Sequence, residues 1–167
     1  MSSRILGIDP GFDRLGLAVI EGSASRPQWV WSACVIIPKG TREARLSGVF
    51  RAVHEAIESY APDAVAIETL FFSVNKKTAI AVAEARGAAL AAAGNAGIFV
   101  DEYSPQQIKI AVTGTGRADK KAVAAMVSRL ITLPARTRRI DDEFDAIATA
   151  LCGLAHRNPH LRRNPLA

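Results

Sequence analysis

Three short stretches of this sequence place carboxylates where a folded chain has no ordinary use for all of them. Asp9 closes the apolar run RILGID (4–9) just ahead of Pro10-Gly11, and Glu68 closes the run AVAIE (64–68). Asp142 and Asp145 stand three apart in IDDEFD (140–145), a spacing that puts both on one side of a helix. Asp9 before Pro-Gly suits a turn as well as chemistry, and Asp141 or Asp142 at a helix start suits capping. Glu68 suits neither, and burying it without a partner would be costly. Four converging carboxylates repel one another and hold their protons more tightly. A hard divalent cation relieves that conflict, and carboxylate oxygens with water are the ligand set of Mg²⁺ or Mn²⁺. Two such ions about 4 Å apart activate a water and stabilise the leaving oxygen of a phosphodiester. Metal-dependent phosphodiester hydrolysis is therefore the chemistry implied for Asp9, Glu68, Asp142 and Asp145.

Those residues need elements to bring them together. Two apolar runs, Arg4 to Asp9 and Leu15 to Ile20, flank Pro10-Gly11 and read as a hairpin, with a third strand from Gln28 to Pro38. Leu46, Val49, Phe50, Val53, Ile57 and Tyr60 recur at helical spacing over 43–60, and Ala61-Pro62-Asp63 stops that helix ahead of the strand 64–68. A loop over 70–74 leads into a long helix over 75–95. Nine of its residues from Ala79 to Ala93 are alanine, which suits close packing. A fifth strand spans 98–103, and Ser104-Pro105 begins a short helix as N-cap and N1. Asp119 caps a helix running to about Leu133, and Asp141 starts the last one, fading near His156. Its apolar stripe is Phe144, Ile147, Leu151 and Leu154, with Asp142 and Asp145 away from it and the small Thr149 and Gly153 permitting close approach. This order predicts an α/β fold. Its five-stranded mixed sheet has three antiparallel and then two parallel strands, with helices on both faces. Parallel neighbours ending in Asp9 and Glu68 would deliver both acids to the strand carboxyl ends, where open α/β sheets place their sites.

The chain has 167 residues, a net charge of +5 and 49% hydrophobic residues, values that suit one soluble domain with an acidic partner such as nucleic acid. From Arg117 to Arg163 ten Lys/Arg face five Asp/Glu. No apolar run approaches the ~20 residues of a membrane span, and no signal-peptide core follows the N-terminus. Cys34 and Cys152 read as buried, reduced thiols, so a cytoplasmic location is expected. No soft metal donors are expected near the acids. The segment 1–157 is expected to form a single domain and 158–167 a basic, flexible tail.

With GIDPG (7–11) and Gly16, AIE (66–68), ARG (85–87), EYSPQQIKIAVTGTGRADK (102–120), Leu133-Pro134 and the DxxDA of Asp142 to Ala146, the chain resembles RuvC-type Holliday-junction resolvases, nucleases of the RNase H-like superfamily. The resemblance covers nearly the whole chain, in order. It implies an RNase H-like domain acting as a homodimer that binds four-way DNA junctions in recombination and repair. Two strands of like polarity would be nicked, leaving 5′-phosphates that a ligase can seal. It also implies two Mg²⁺ or Mn²⁺ ions per site and a RuvA/RuvB branch-migration complex as partner. The four acids map onto Asp9, Glu68, Asp142 and Asp145. The final Asp-Ala fixes the register on Asp142, while spacing alone leaves Asp141 open. Two lysines near the scissile phosphate map onto Lys109 and Lys120, either of which alone also suits a solvated helix face.

The resemblance further assigns Phe71 to stacking on bases at the junction centre, a contact worth about 1–3 kcal/mol per base. Phe72 beside it suits packing under the loop, and Lys76 and Lys77 extend the same basic, aromatic stretch. Phe72 and Lys77 depart from the enterobacterial pattern, so no cleavage-site preference is carried over. Arg136, Arg138 and Arg139 precede the last helix and suit tracking of backbone phosphates. An alternative is another RNase H-like nuclease acting on RNA–DNA hybrid or simple duplex, which shares the acids but not the Phe71 loop or dimer. A GIDxG opening also occurs in actin-like kinases, but those need two such domains and this chain has room for one.

Overall fold

The computed structural model describes residues 2–70, 76–135 and 141–157, with side chains from 79 onward in the second stretch. Phe71, Phe72, the side chains of Lys76 and Lys77, Arg136, Arg138, Arg139 and the segment 158–167 lie outside the described residues.

Among the described residues, five strands and five helices follow in the order β1 (Ser3–Asp9), β2 (Arg14–Ser23), β3 (Arg26–Ile36), α1 (Arg42–Tyr60), β4 (Ala64–Glu68), α2 (Lys76–Asn95), β5 (Val100–Tyr103), α3 (Pro105–Thr113), α4 (Lys120–Leu130) and α5 (Asp141–His156). The sheet order is β3-β2-β1-β4-β5. β1 pairs antiparallel with β2 and β2 with β3, whereas β1/β4 and β4/β5 are parallel. The mixed sheet expected from the sequence is the one observed.

Strand alternation decides which way the two acids face. On β1 and β4, Leu6, Ile8, Val65 and Ile67 join α1 and α2 in one core, while Ile5, Ala64 and Ala66 join α3, α4 and α5 in the other. Asp9 and Glu68 fall in phase with the second set. Ile8 is paired with Ile67, so one further step along the parallel register brings Asp9 beside Glu68 under the start of α5.

Helix α5 lies unusually close to the sheet because glycines leave room for it. A Cβ on Gly7 would stand 2.2 Å from the Ala146 carbonyl oxygen, and one on Gly16 would stand 2.0 Å from the Asp142 carbonyl oxygen. Gly153 faces Ala66 and Ile5 in the same way. Consequently α5 is buried almost all round from Ala146 to Leu154, not only along the predicted apolar stripe, and Phe144 is only partly buried. Sandwiching between the sheet and α3 and α4 accounts for the difference.

Several element bounds differ from expectation by a few residues, β3 spanning Arg26–Ile36 and β2 running on to Ser23, and two of the shifts have a clear cause. α4 ends at Leu130 because Ile131 turns extended (ψ 145°) and buries its side chain in the core, so packing outweighs continued helix. β5 starts at Val100 because Gly97 adopts φ +67° and the Ile98 N–H donates back to the Ala93 carbonyl, closing α2. Ser104 caps α3 as expected, in a capping box with Gln107, and Asp119 caps α4 through the Ala122 N–H.

Candidate active site

Asp9, Glu68, Asp142, Asp145, Lys109 and Lys120 line one cleft, floored by the strand ends and walled by α3, α4 and α5. Each acid arrives by a separate local device. Asp9 ends β1 at the turn, and Arg45 of α1 holds that turn by donating to the Phe12 carbonyl, pairing with Asp13 and lying 4.0 Å over the Phe12 ring. Asp13 thus serves the turn, leaving Asp9 for the cleft. Glu68 ends β4, and its backbone carbonyl accepts Arg86 Nε at 3.1 Å, while the same guanidinium pairs with Glu102. Asp142 and Asp145 occupy the first turns of α5, pressed onto the sheet through Gly16 and Gly7. Asp141 is exposed and does not line the cleft.

The electrostatics are those of a crowded acid site. Burial pushes the Asp9 carboxyl up to about 7, with repulsion from Asp145, Glu68 and Asp142 adding to it and Lys120 opposing. Glu68 is raised by burial and by Asp145, and Lys120 and Lys109 pull it back down. Lys120 donates to Asp145 Oδ2 at 2.9 Å, and that bond raises its own pKa. Arg14 Nε lies 3.2 Å from Asp142 Oδ2.

Among the described residues, no three His, Cys, Asp or Glu side chains already stand as a set able to grip one ion. Lys120 and Arg14 take up oxygens of Asp145 and Asp142 instead. The donor chemistry nevertheless fits a hard divalent cation. Four carboxylates share one cleft, burial with repulsion from the other three holds Asp9 near neutral pH, and organic cations already answer the charge.

The expectation that both cysteines are buried needs correction. Cys152 is buried, but Cys34 is only half-buried, because β3 is an edge strand. Its Sγ lies 3.9 Å from Asp142 Oδ2, so a soft atom does stand beside the acids. Burial and the Asp142 charge raise the Cys34 pKa, which keeps it a thiol and a poor ligand.

Sequence reasoning also missed Glu143. A glutamate inside an acidic run looks solvated, yet this one is buried, and its Oε1 accepts the Ser32 hydroxyl at 2.6 Å. Ser32 in turn accepts from Trp29 Nε1 at 2.8 Å. This polar chain ties the first turn of α5 to β3, beside Asp142. The paired indole and carboxyl were visible as residue types, but a contact spanning 111 positions left no local signal.

A family model described as crossover junction endodeoxyribonuclease RuvC matches residues 5–153. The chain belongs to the RuvC family. A RuvC relative from Alkalilimnicola ehrlichii is 44% identical over 162 residues, covering 96% of this chain and 97% of that protein. One from Rubrobacter xylanophilus is 45% identical, covering 92% of this chain and 86% of the relative. Among solved structures, Thermus thermophilus RuvC in complex with Holliday junction substrate superposes with a TM-score of 0.83 at 35% identity, covering 90% of this chain and 92% of that one. RuvC family membership makes this a divalent-metal-dependent nuclease with the RNase H-like fold, as the resemblance implied.

The RuvC cleft gives Lys120 a double role. It bonds Asp145 and lowers the Asp9 pKa, so Lys120→Ala should slow cleavage by about 10²-fold, the usual scale for losing one electrostatic stabiliser. The pH profile of the cleavage rate should also move to higher pH, because Asp9 then holds its proton more tightly. Lys109→Ala should act in the same direction, more weakly, and both should spare junction affinity in a gel-shift titration. Loss of affinity matching the loss of rate would make these lysines simple DNA contacts.

Proposed function

We propose that this protein is a structure-specific endodeoxyribonuclease that resolves four-way DNA junctions by nicking two strands of like polarity. The observation that carries the reading is the convergence of Asp9, Glu68, Asp142 and Asp145 in one cleft on a RuvC-family fold. These four carboxylates would hold Mg²⁺ or Mn²⁺, two ions per site, with Asp141 outside the set. The bound cations supply an activated water and charge stabilisation at the phosphodiester. Asp9 must be ionised to serve as a ligand, so loading competes with its proton. Lys120 holds Asp145 in place, and Lys109 and Lys120 balance the charge of Glu68 and meet the scissile phosphate.

The functional unit is a homodimer, since two symmetric nicks need two such clefts on one junction, and the Ala-rich α2 suits close helix packing across the two-fold. A nuclease domain over 1–157 carries the chemistry, and 158–167 is a basic tail. Phe71 stacks on bases opened at the junction centre, with Phe72, Lys76, Lys77, Arg136, Arg138 and Arg139 contributing to DNA contact. A RuvA/RuvB branch-migration complex delivers the junction in the cytoplasm, a setting consistent with the lack of any described helix long and apolar enough to cross a membrane.

Product analysis tests the reading. Paired nicks that DNA ligase seals without prior phosphorylation support it; unpaired cuts, or ends that ligase refuses, contradict it. Phe71→Ala should leave Mn²⁺ affinity, measured by calorimetry, unchanged while cleavage falls about tenfold or more, in line with the loss of one base stack. Unchanged turnover would return Phe71 to a packing role.

A further inference from the structure

Arg14 was not among the residues the sequence pointed to, and its placement is specific. It is the first residue of β2, directly after the turn that carries the chain away from Asp9. Its guanidinium pairs with Asp142 at 3.2 Å, yet its side chain is 54% exposed against 20% for Asp142. Lys109 and Lys120 reach the acids from α3 and α4, whereas Arg14 reaches them from β2, the strand on the far side of β1 from β4. The acid cluster is therefore flanked by cations on two sides, and the second is a guanidinium rather than an ammonium.

An exposed Arg–carboxylate pair is held weakly. A divalent cation that claimed Asp142 would strip Arg14 of its counter-ion while leaving the guanidinium tethered at the cleft edge. Guanidinium groups favour phosphate, which they bind through two parallel hydrogen bonds. A nucleic acid strand lying across the cleft also carries phosphates flanking the one being cut, and Lys109 and Lys120 are already assigned to the scissile one.

We propose that Arg14 is a substrate-contacting residue that neutralises Asp142 in the cation-free protein and passes to a flanking backbone phosphate when a divalent cation takes Asp142. The assignment rests on reading the four acids as a cation site. It couples cation and DNA binding, and such coupling is reciprocal. Arg14 competes with the cation when DNA is absent and supports DNA once the cation is bound.

The test uses the full chain as wild type, Arg14→Gln and Arg14→Lys. Mn²⁺ affinity is measured by calorimetry without DNA, and affinity for a synthetic four-way junction is measured by fluorescence anisotropy in EDTA and in Ca²⁺. Arg14→Gln should bind Mn²⁺ several-fold more tightly, having lost the competing cation. In Ca²⁺ its junction affinity should fall about tenfold, the scale of one charge-assisted hydrogen bond, and in EDTA by much less. Arg14→Lys should keep part of the junction affinity. A structural role would weaken both ligands together, so a lower Mn²⁺ affinity overturns the proposal. Unchanged Mn²⁺ affinity, or an equal loss of junction affinity with and without Ca²⁺, overturns it as well. Wild type that binds no Mn²⁺ would instead remove the cation site beneath it, a result distinguishable from any Arg14 effect.

Discussion

Asp9→Asn is expected to abolish cleavage in Mg²⁺ or Mn²⁺, leave junction binding intact, and make the metal-free protein more stable at neutral and alkaline pH. The first two effects follow because an amide is a poor ligand for a hard cation and Asp9 is no DNA contact. The third follows from linkage. Asp9 ionises at about 7 in the folded chain against 3.8 ordinarily, so the folded state binds the proton more tightly. Below the ordinary value both states are protonated and Asp9 costs nothing. Between the two values the unfolded state releases its proton first, and stability falls as pH rises. Above about 7 the full penalty is in place, on the order of 4 kcal/mol for a shift of this size. Asn at this position keeps the shape and removes the charge, so urea unfolding in EDTA should show a gain of about 2–4 kcal/mol at pH 8 that fades towards pH 4. Saturating Mg²⁺ should narrow the difference by stabilising only the wild type. An Asp9→Asn protein no more stable at pH 8 than at pH 4, relative to wild type, would mean that Asp9 is neither desolvated nor crowded by the other acids as the structure has it.

Gly16→Ala tests the other half of the site, the close seating of α5. The added methyl would meet the Asp142 carbonyl oxygen at 2.0 Å and the Asp9 Cβ at 3.1 Å, one a backbone atom and the other bonded directly to the backbone. Neither can swing away as a flexible side chain could, so the first turn of α5 must rise from the sheet. Overpacking of this kind costs about 1–3 kcal/mol, readable as a lower urea midpoint. A shift of about 1 Å in a catalytic group commonly costs 10²-fold in rate, so cleavage should fall by at least that much. Junction affinity should change less than the rate, because Lys109, Lys120 and Arg14 stand on α3, α4 and β2 rather than on α5. Wild-type rate and stability together would show that α5 has slack at this point.

The strand-end acids were legible because strand period, parallel pairing and residue chemistry agreed. Glu68 has no turn or cap to serve, and the alternation of AVAIE put it on one face with Ala64 and Ala66. The spacing of Asp142 and Asp145 likewise carried over, since both fall within one turn of a helix. What stayed hidden came from contacts between distant segments. Arg14 reads as an ordinary turn-flanking cation until the β1–β2 register and the seat of α5 bring it to Asp142. Cys34 reads as buried until the strand order makes β3 an edge. The boundary of α4 moved because Ile131 gained more from the core than from another helical residue. Arg86 lay inside a recognisable ARG segment, but its grip on the Glu68 carbonyl depends on α2 sharing a core with Val65 and Ile67 of β4.

Cleavage by the purified chain is best compared on three substrates side by side: a mobile four-way junction, a linear duplex and an RNA–DNA hybrid, each in Mg²⁺, Mn²⁺ and EDTA. The predicted result is paired nicks in junction strands of like polarity with either cation, none in EDTA, and little cutting of the other two. Preferred cutting of the hybrid or the duplex, or cutting that survives EDTA, would contradict it.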